Sequence, residues 1–384
     1  MTKDTTPPPV QLIGESPVPV WGLSGRERLE RMLRNLGATG LAGWPAEPAV
    51  SGRVVLLRAD YVVEENLLRE LLDTPDSLLA DPETGIVVAG HVSHEAAAEF
   101  ASLLERDTDV ARATSSPGIS PLRVISVPDS AYNKALRSRF VPFVKRITPA
   151  TRDDIQRRLF ASSYKGVTDV VTKHVWPRPA YHATRACVAM GLSPNMVTSA
   201  SGVFVLIALW LFADGMFGLG LAAGWAMTFL DTVDGKLARV TLTSSPFGNV
   251  FDHGIDLVHP PFWYWAWIVG LQAAGMSLWQ ADLIAAVVIG GYVVQRLQEG
   301  AFLRLFGMHL HVWRRFDSFF RQITARRNPN LLILTFFTLF ARPDIGIVVV
   351  ALWTAVSFVV HFVQLVQAIA MRLQGKTLSS WLAS

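Results

Sequence analysis

Long apolar runs crowd the second half of the chain, at roughly 197–213, 217–238, 252–275, 281–303, 330–343 and 345–371, whereas residues 1 to about 185 are polar and dense in charge. Runs of this length read as membrane-spanning helices, the fifth being short for a crossing. In the first half, short β-like runs at 53–57, 85–89 and 122–127 alternate with amphipathic helical stretches at 25–37 and 94–105. That alternation predicts an α/β domain with a largely parallel sheet. Between the halves, 152–173 reads as a basic helical connector at the membrane face, closed where proline breaks the helix in Trp176-Pro177-Arg178-Pro179. The pattern predicts a soluble α/β domain over 1–150, a juxtamembrane helical connector over 151–190, and an α-helical membrane domain of six transmembrane helices over 191–384.

Composition supports this division. The 384 residues are 51% hydrophobic and 17% charged, which excludes intrinsic disorder, and the mean hydropathy of +0.32 is too apolar for an ordinary soluble enzyme. The links after the first, third and fifth apolar segments carry only Arg342 between them, while the stretch after the fourth carries Arg304, Arg314, Arg315, Arg321, Arg326 and Arg327. The positive-inside rule then places both termini and the 304–329 loop in the cytosol; the inner or plasma membrane of a bacterium or archaeon is the expected setting. A net charge of +4 is explained by this topology, so the expected partner is anionic lipid headgroups and not nucleic acid. The single cysteine, Cys187, excludes an internal disulfide framework, and the polar opening residues lack the apolar stretch of a secretory signal.

The candidate chemistry lies between 231 and 256. Asp231, Asp234, Gly235, Ala238 and Arg239 are spaced i, i+3, i+4, i+7 and i+8, and Gly248, Asp252 and Asp256 are spaced i, i+4 and i+8. On helices each set makes one face, and the eight-residue link lets the faces meet at the cytosolic surface. Four unanswered carboxylates there would be costly, and all-oxygen ligation favours Mg²⁺ or Mn²⁺, in a two-metal site. Small residues at 235, 238 and 248 leave room for a bulky polar ligand, and Arg239 supplies a phosphate donor. The set suits attack on a pyrophosphate bond, with one carboxylate free to deprotonate an alcohol. A cation transporter using the carboxylates is the competing class, but it has no need of the small residues.

Here the sequence resembles the CDP-alcohol phosphotransferase family, whose signature D-x-x-D-G-x-x-A-R-x8-G-x-x-x-D-x-x-x-D is matched at every specified position from Asp231 to Asp256. The resemblance implies a six-helix membrane enzyme, commonly homodimeric, that transfers a substituted phosphoryl group from a CDP-linked donor to an alcohol and releases CMP. It implies that Asp231, Asp234 and Asp252 ligate metal. Asp256 would be the general base and also a ligand, and Gly235, Ala238, Arg239 and Gly248 would line the CDP site. The segment Ser193-Pro194-Asn195-Met196-Val197-Thr198 is similar to the family's P-N-x-x-T stretch, so Asn195 and Thr198 are further nucleotide-binding candidates.

The first half resembles, more loosely, the sugar-nucleotidyltransferase fold that some inositol-handling members carry. The similarity runs through 19–25, 29–37 and the strand ending in Asp60. It lacks a Gly-rich phosphate loop before residue 16, which predicts a degenerate domain with a binding or assembly role. The fusion points to inositol-phosphate chemistry, with CDP-diacylglycerol or CDP-inositol as donor. Headgroup transfer to another lipid alcohol, such as a sphingolipid, is the alternative. Arg296, an intramembrane charge, is a candidate for an anionic acceptor or a structural partner of Glu299. His253 and His259 flank the motif as substrate-contact candidates, whereas His309, His311 and His361 suggest no metal constellation. The aromatic run Phe262-Trp263-Tyr264-Trp265 with Trp267 reads as core packing or an interfacial belt.

Overall fold

The computed structural model describes residues 8–38, 42–43, 52–116, 119 and 121–383. The opening residues 1–7, on which the expectation about a secretory signal rests, lie outside them. The chain forms two compact units: Met1–Ala131 with Arg139–Ser162 and Val240–Leu242, and Tyr132–Ser138 with Ser163–Arg239 and Thr243–Ser384.

The first unit contains β1 (Val10–Ile13), α1 (Gly25–Asn35), β2 (Ala42–Gly43), β3 (Arg53–Arg58), β4 (Tyr61–Val63), α2 (Glu65–Asp73), β5 (Ser77–Ala80), β6 (Val87–Ser93), α3 (Ala97–Glu105), α4 (Val110–Thr114) and β7 (Arg123–Ile125). A hairpin, β8 (Ala131–Asn133) and β9 (Ser138–Phe140), whose residues Tyr132–Ser138 belong to the second unit, precedes β10 (Val144–Arg146) and α5 (Arg152–Ser162) of the first. The main sheet runs β2-β1-β3-β6-β5-β7. Successive side chains of β3 face opposite ways, as the strand period requires. Val55 and Leu57 pack with Leu29, Leu33 and Leu67 of α1 and α2, while Val54 and Leu56 pack with Phe100 and Leu104 of α3. A sheet covered on both faces explains why its strands read as short continuous apolar runs.

The expectation of a largely parallel sheet needs correction, because β6 runs antiparallel to both β3 and β5, leaving three parallel ladders against two antiparallel. Strand direction is invisible to apolar periodicity, which is the same for either pairing. Helix α1 starts where local chemistry dictates. Ser24 accepts from the Glu27 amide at 3.1 Å, and Glu27 accepts from the Ser24 amide at 2.9 Å.

The second unit is helical: α6 (Val170–His174), α7 (Pro177–Ala189), α8 (Pro194–Ala213), α9 (Phe217–Val240) and α10 (Pro246–Ala273), followed by a continuous rod of α11 (Ala281–Ala285), a π turn at Ala286–Gly290 and α12 (Gly291–Phe306). It closes with α13 (Arg315–Phe320), α14 (Arg327–Leu339) and α15 (Pro343–Leu373). Helices therefore lie at all six apolar segments. Three are long and apolar enough to cross a bilayer: Pro194–Ala213, the rod Ala281–Phe306, and Pro343–Leu373. Apolar side chains such as Leu206, Trp210, Leu352 and Phe362 stand exposed on these helices, as a lipid-facing surface requires.

Helices α8 and α10 pack closely because residue 270 is glycine: a Cβ there would lie 1.8 Å from the Phe212 carbonyl oxygen. The aromatic run divides by helical period. Trp263, Tyr264 and Trp267 are buried in the core, whereas Phe262 and Trp265 are exposed. The connector also differs in detail. Helix α6 ends at His174, before the prolines, but Pro177 then opens α7 from its first turn, where a missing amide costs nothing.

Candidate active site

Helix α9 carries Asp231, Asp234, Gly235, Ala238 and Arg239, and α10 carries Gly248, Asp252 and Asp256. Both helices extend into the expected link, so only residues 241–245 connect them. Ser245 caps α10 by accepting from the Gly248 amide at 3.0 Å. The two faces meet. Carboxylate oxygens of Asp231, Asp252 and Asp256 all lie within 4.8 Å of one another, a spacing that fits oxygen ligation of a divalent cation.

Asp234 is placed differently. It is buried, accepts a 2.5 Å hydrogen bond from the Thr198 hydroxyl of α8, and keeps its other oxygen without a partner. Asp234 and Thr198 share a small pocket with Asn195, Gly235, Ala238 and Gly248. A Cβ at Gly248 would come within 3.1 Å of the Asn195 side-chain oxygen, and one at Gly235 within 3.0 Å of the Arg239 guanidinium. The small residues therefore make room for named polar groups.

A second cavity, of about 360 Å³, opens beside the triad and is lined by eight basic side chains against four acidic ones. Arg327, at the start of α14, donates to Asp231 at 2.6 Å and also pairs with Asp256. Arg296 donates to Glu299 at 2.8 Å, and Arg326 takes the other carboxylate oxygen. Arg296 thus lines the cavity but is already paired with Glu299. Lys236, at an unspecified position of the signature, donates to the Ser163 carbonyl at 3.1 Å and caps the Tyr164 ring.

Three cations come from segments that the sequence reading left out of the site. Burial, then repulsion from Arg326, pushes Arg321 well below its ordinary pKa, and its Nε and Nη1 are buried without a partner. Burial and the neighbouring Arg137 lower Lys165, and burial with repulsion from Arg326 lowers Arg137. Burial works to raise Asp169, but Arg321, the Thr172 amide and Asn328 outweigh it and hold its carboxyl below the usual range.

The histidines also need correction. His311 and His361 meet at Glu299, with potential ligand atoms of all three within 4.8 Å of one another. Both Glu299 oxygens are held by guanidiniums, so a divalent cation there would face two fixed positive charges and would have to displace one. We assign no metal to that cluster. His253 is exposed at the cavity rim, whereas His259 turns inward, its Nδ1 at 2.7 Å from the Ile255 carbonyl oxygen and its ring against Trp263.

In the first unit, Asp60 is held by Arg58 through bonds of 2.9 and 2.7 Å and by Arg146 at 3.0 Å, and both arginines also pair with Asp107.

Residues 191–360 match the family model described as CDP-alcohol phosphatidyltransferase. Archaetidylinositol phosphate synthase from Pyrococcus horikoshii is 26% identical over 47% of this chain and 88% of its own length. The bifunctional IPC transferase and DIPP synthase of Rubrobacter xylanophilus is 34% identical over 25% of this chain, which spans only 20% of that protein. The solved phosphatidylinositol phosphate synthase of Mycobacterium tuberculosis, with CDP-DAG bound, superposes with a TM-score of 0.38 at 18% identity, over 49% of this chain and 94% of that one. With Asp231, Asp252 and Asp256 drawn together by α9 and α10, the 191–360 region is a CDP-alcohol phosphatidyltransferase domain, the protein is a transferase, and three of its helices are long and apolar enough to cross a membrane.

Proposed function

We propose that the protein transfers a substituted phosphoryl group from a CDP-linked donor, CDP-diacylglycerol or CDP-inositol, to a phosphorylated alcohol of the inositol phosphate type, releasing CMP for phospholipid synthesis. The observation that carries this reading is the convergence of Asp231, Asp252 and Asp256 beside a cavity with twice as many basic as acidic side chains. An uncharged acceptor, such as a sphingolipid hydroxyl, has no use for that charge. The archaeal archaetidylinositol phosphate synthase and the Rubrobacter IPC transferase and DIPP synthase support the same reading.

Asp231, Asp234 and Asp252, with Asp256, would hold Mg²⁺ or Mn²⁺; the Asp234 oxygen that has no hydrogen-bond partner is open to such a role. The cation, when bound, supplies charge neutralisation at the diphosphate. Asn195, Thr198, Gly235, Ala238, Arg239 and Gly248 form the nucleotide wall. Asp256 takes the proton of the acceptor hydroxyl as its oxygen bonds to the donor's distal phosphorus, and the bond from that phosphorus to the bridging oxygen breaks, so the electron pair leaves with CMP. Arg296, fixed by Glu299, adds its charge to the acceptor wall.

The same reading has six helices crossing the membrane, with the N-terminus and site in the cytosol, and a homodimeric assembly. It takes 1–150 as a degenerate nucleotidyltransferase-like domain, 151–190 as the juxtamembrane connector and 191–384 as the transferase domain. Support for degeneracy is the pairing of Asp60 with two guanidiniums, which occupy the carboxylate a metal would need. The testing experiment is CMP release from CDP-diacylglycerol or CDP-inositol by the full chain, with inositol phosphate or a sphingoid alcohol as acceptor. Turnover with the sphingoid alcohol alone would overturn the acceptor assignment.

A further inference from the structure

Arg137 and Lys165 reach the cavity from segments that precede the 191–360 stretch matched by the family model. Arg137 sits in the turn between β8 and β9 at φ 51°, a left-handed conformation that costs a non-glycine residue about 1 kcal/mol. The turn is fastened to the loop carrying Lys165. The Gly166 amide donates to the Leu136 carbonyl at 3.0 Å, and a Cβ on Gly166 would lie 2.6 Å from the Arg137 carbonyl oxygen. A strained arginine is thus locked beside a lysine, two like charges that repel.

Four of the other six cavity cations have bonded partners: Arg327 is answered by Asp231 and Asp256, Arg296 and Arg326 by Glu299, and Lys236 by a carbonyl, while Arg321 and Arg239 face Asp169 and Asp234 without an ion pair. Among the described residues, no carboxylate hydrogen-bonds Arg137 or Lys165, which Glu299 and the Asp231 and Asp252 carboxylates face only at longer range, and the Arg137 Nε is buried without a partner. Keeping two such cations together costs stability unless an anion arrives between them.

We propose that Arg137 and Lys165 are specificity residues that bind a second anionic group of the acceptor, so that the preferred acceptor is a bisphosphorylated polyol. The inference rests on the phosphorylated-acceptor reading and adds to it. Arg321, whose Nε and Nη1 are buried without a partner in the same cavity, would take the first phosphate. The guanidinium and ammonium pair across the turn faces the second, a combination suited to a dianion.

The test is calorimetric titration of the Mg²⁺-loaded full chain, in nanodiscs of neutral lipid, with myo-inositol 1-phosphate and myo-inositol 1,4-bisphosphate. The wild type is expected to bind the bisphosphate about tenfold more tightly, the scale of added charge-assisted hydrogen bonds. Arg137→Gln and Lys165→Gln should each remove most of that preference, leave monophosphate affinity within about twofold and melt near wild type; Arg137→Lys should retain it. Equal wild-type affinity for the two probes overturns this proposal while leaving the phosphorylated acceptor standing. Parallel weakening of both probes in the variants does the same. Weakened CDP-diacylglycerol binding in either variant assigns the cations to the donor and also overturns it. If neither probe binds wild type, the phosphorylated-acceptor reading itself fails, and this inference falls with it.

Discussion

The Thr198 hydroxyl of α8 donates to the buried carboxylate of Asp234 on α9 across 2.5 Å, joining the weak P-N-x-x-T segment to the strong aspartate signature. The bond pins one oxygen and leaves the other directed away from it. Replacing Thr198 by Val keeps the shape and removes the donor. Loss of a hydrogen bond to a buried charged group costs about 1–3 kcal/mol, so CDP-donor affinity should fall roughly 10- to 100-fold, with acceptor KM close to wild type. Equilibrium binding of a labelled CDP-donor reads this directly.

Asp231 and Asp256 should separate by role. Asp231→Asn removes a ligand and a partner of Arg327, and should abolish both turnover and tight Mn²⁺ binding measured by electron paramagnetic resonance. Asp256→Asn should abolish turnover by removing the base while retaining donor binding within a few-fold. Equal loss of donor affinity in both variants would contradict that division.

Glu299 answers two guanidiniums and one imidazole from within a buried cluster. Glu299→Gln leaves the two guanidiniums uncompensated and should cost about 3–5 kcal/mol, seen as a large drop in melting temperature. Arg296→Gln should have a smaller effect, because Arg326 still answers Glu299, and should raise acceptor KM while sparing donor affinity. If Arg296→Gln changes only stability, Arg296 is a structural partner and no part of the acceptor wall.

The 384-residue chain should release no pyrophosphate from CTP and inositol phosphate, since Asp60 is bound by Arg58 and Arg146. Asp60→Ala should lower thermal stability by leaving those arginines uncompensated, yet keep the CMP-releasing rate within about twofold. Pyrophosphate release would show that the domain retains nucleotidyl transfer.

The aspartate motif was legible in the sequence because its geometry is local. Helical spacing alone places Asp252 and Asp256 on one face, and a short link brings that face to Asp231. Asp234 departs from the triad because Thr198, thirty-six positions earlier in the chain, competes for its carboxylate. Arg137, Lys165, Arg321 and Arg327 were beyond such reasoning as a set, since four separate segments must fold before their charges converge. Arg326 and Arg327 did stand out among the basic residues after the fourth apolar segment, but nothing local indicated that Arg327 would reach Asp231. The Glu299, His311 and His361 cluster likewise depends on contact between α12, α15 and the turn before α13. In the first unit, strand positions were readable from apolar runs, while the reversed direction of β6 was not.

The central claim is transfer from a CDP-linked donor to a phosphorylated alcohol at the carboxylate cluster. Its most direct measurement is CMP release by the full chain in lipid nanodiscs, supplied with CDP-diacylglycerol and with or without inositol phosphate, in Mg²⁺ or in excess EDTA. The account predicts CMP formation that requires both inositol phosphate and the divalent cation, with equimolar phosphorylated lipid product and no turnover in Asp256→Asn. Full activity in excess EDTA, or CMP release that ignores the phosphorylated acceptor in favour of an uncharged alcohol, would contradict it.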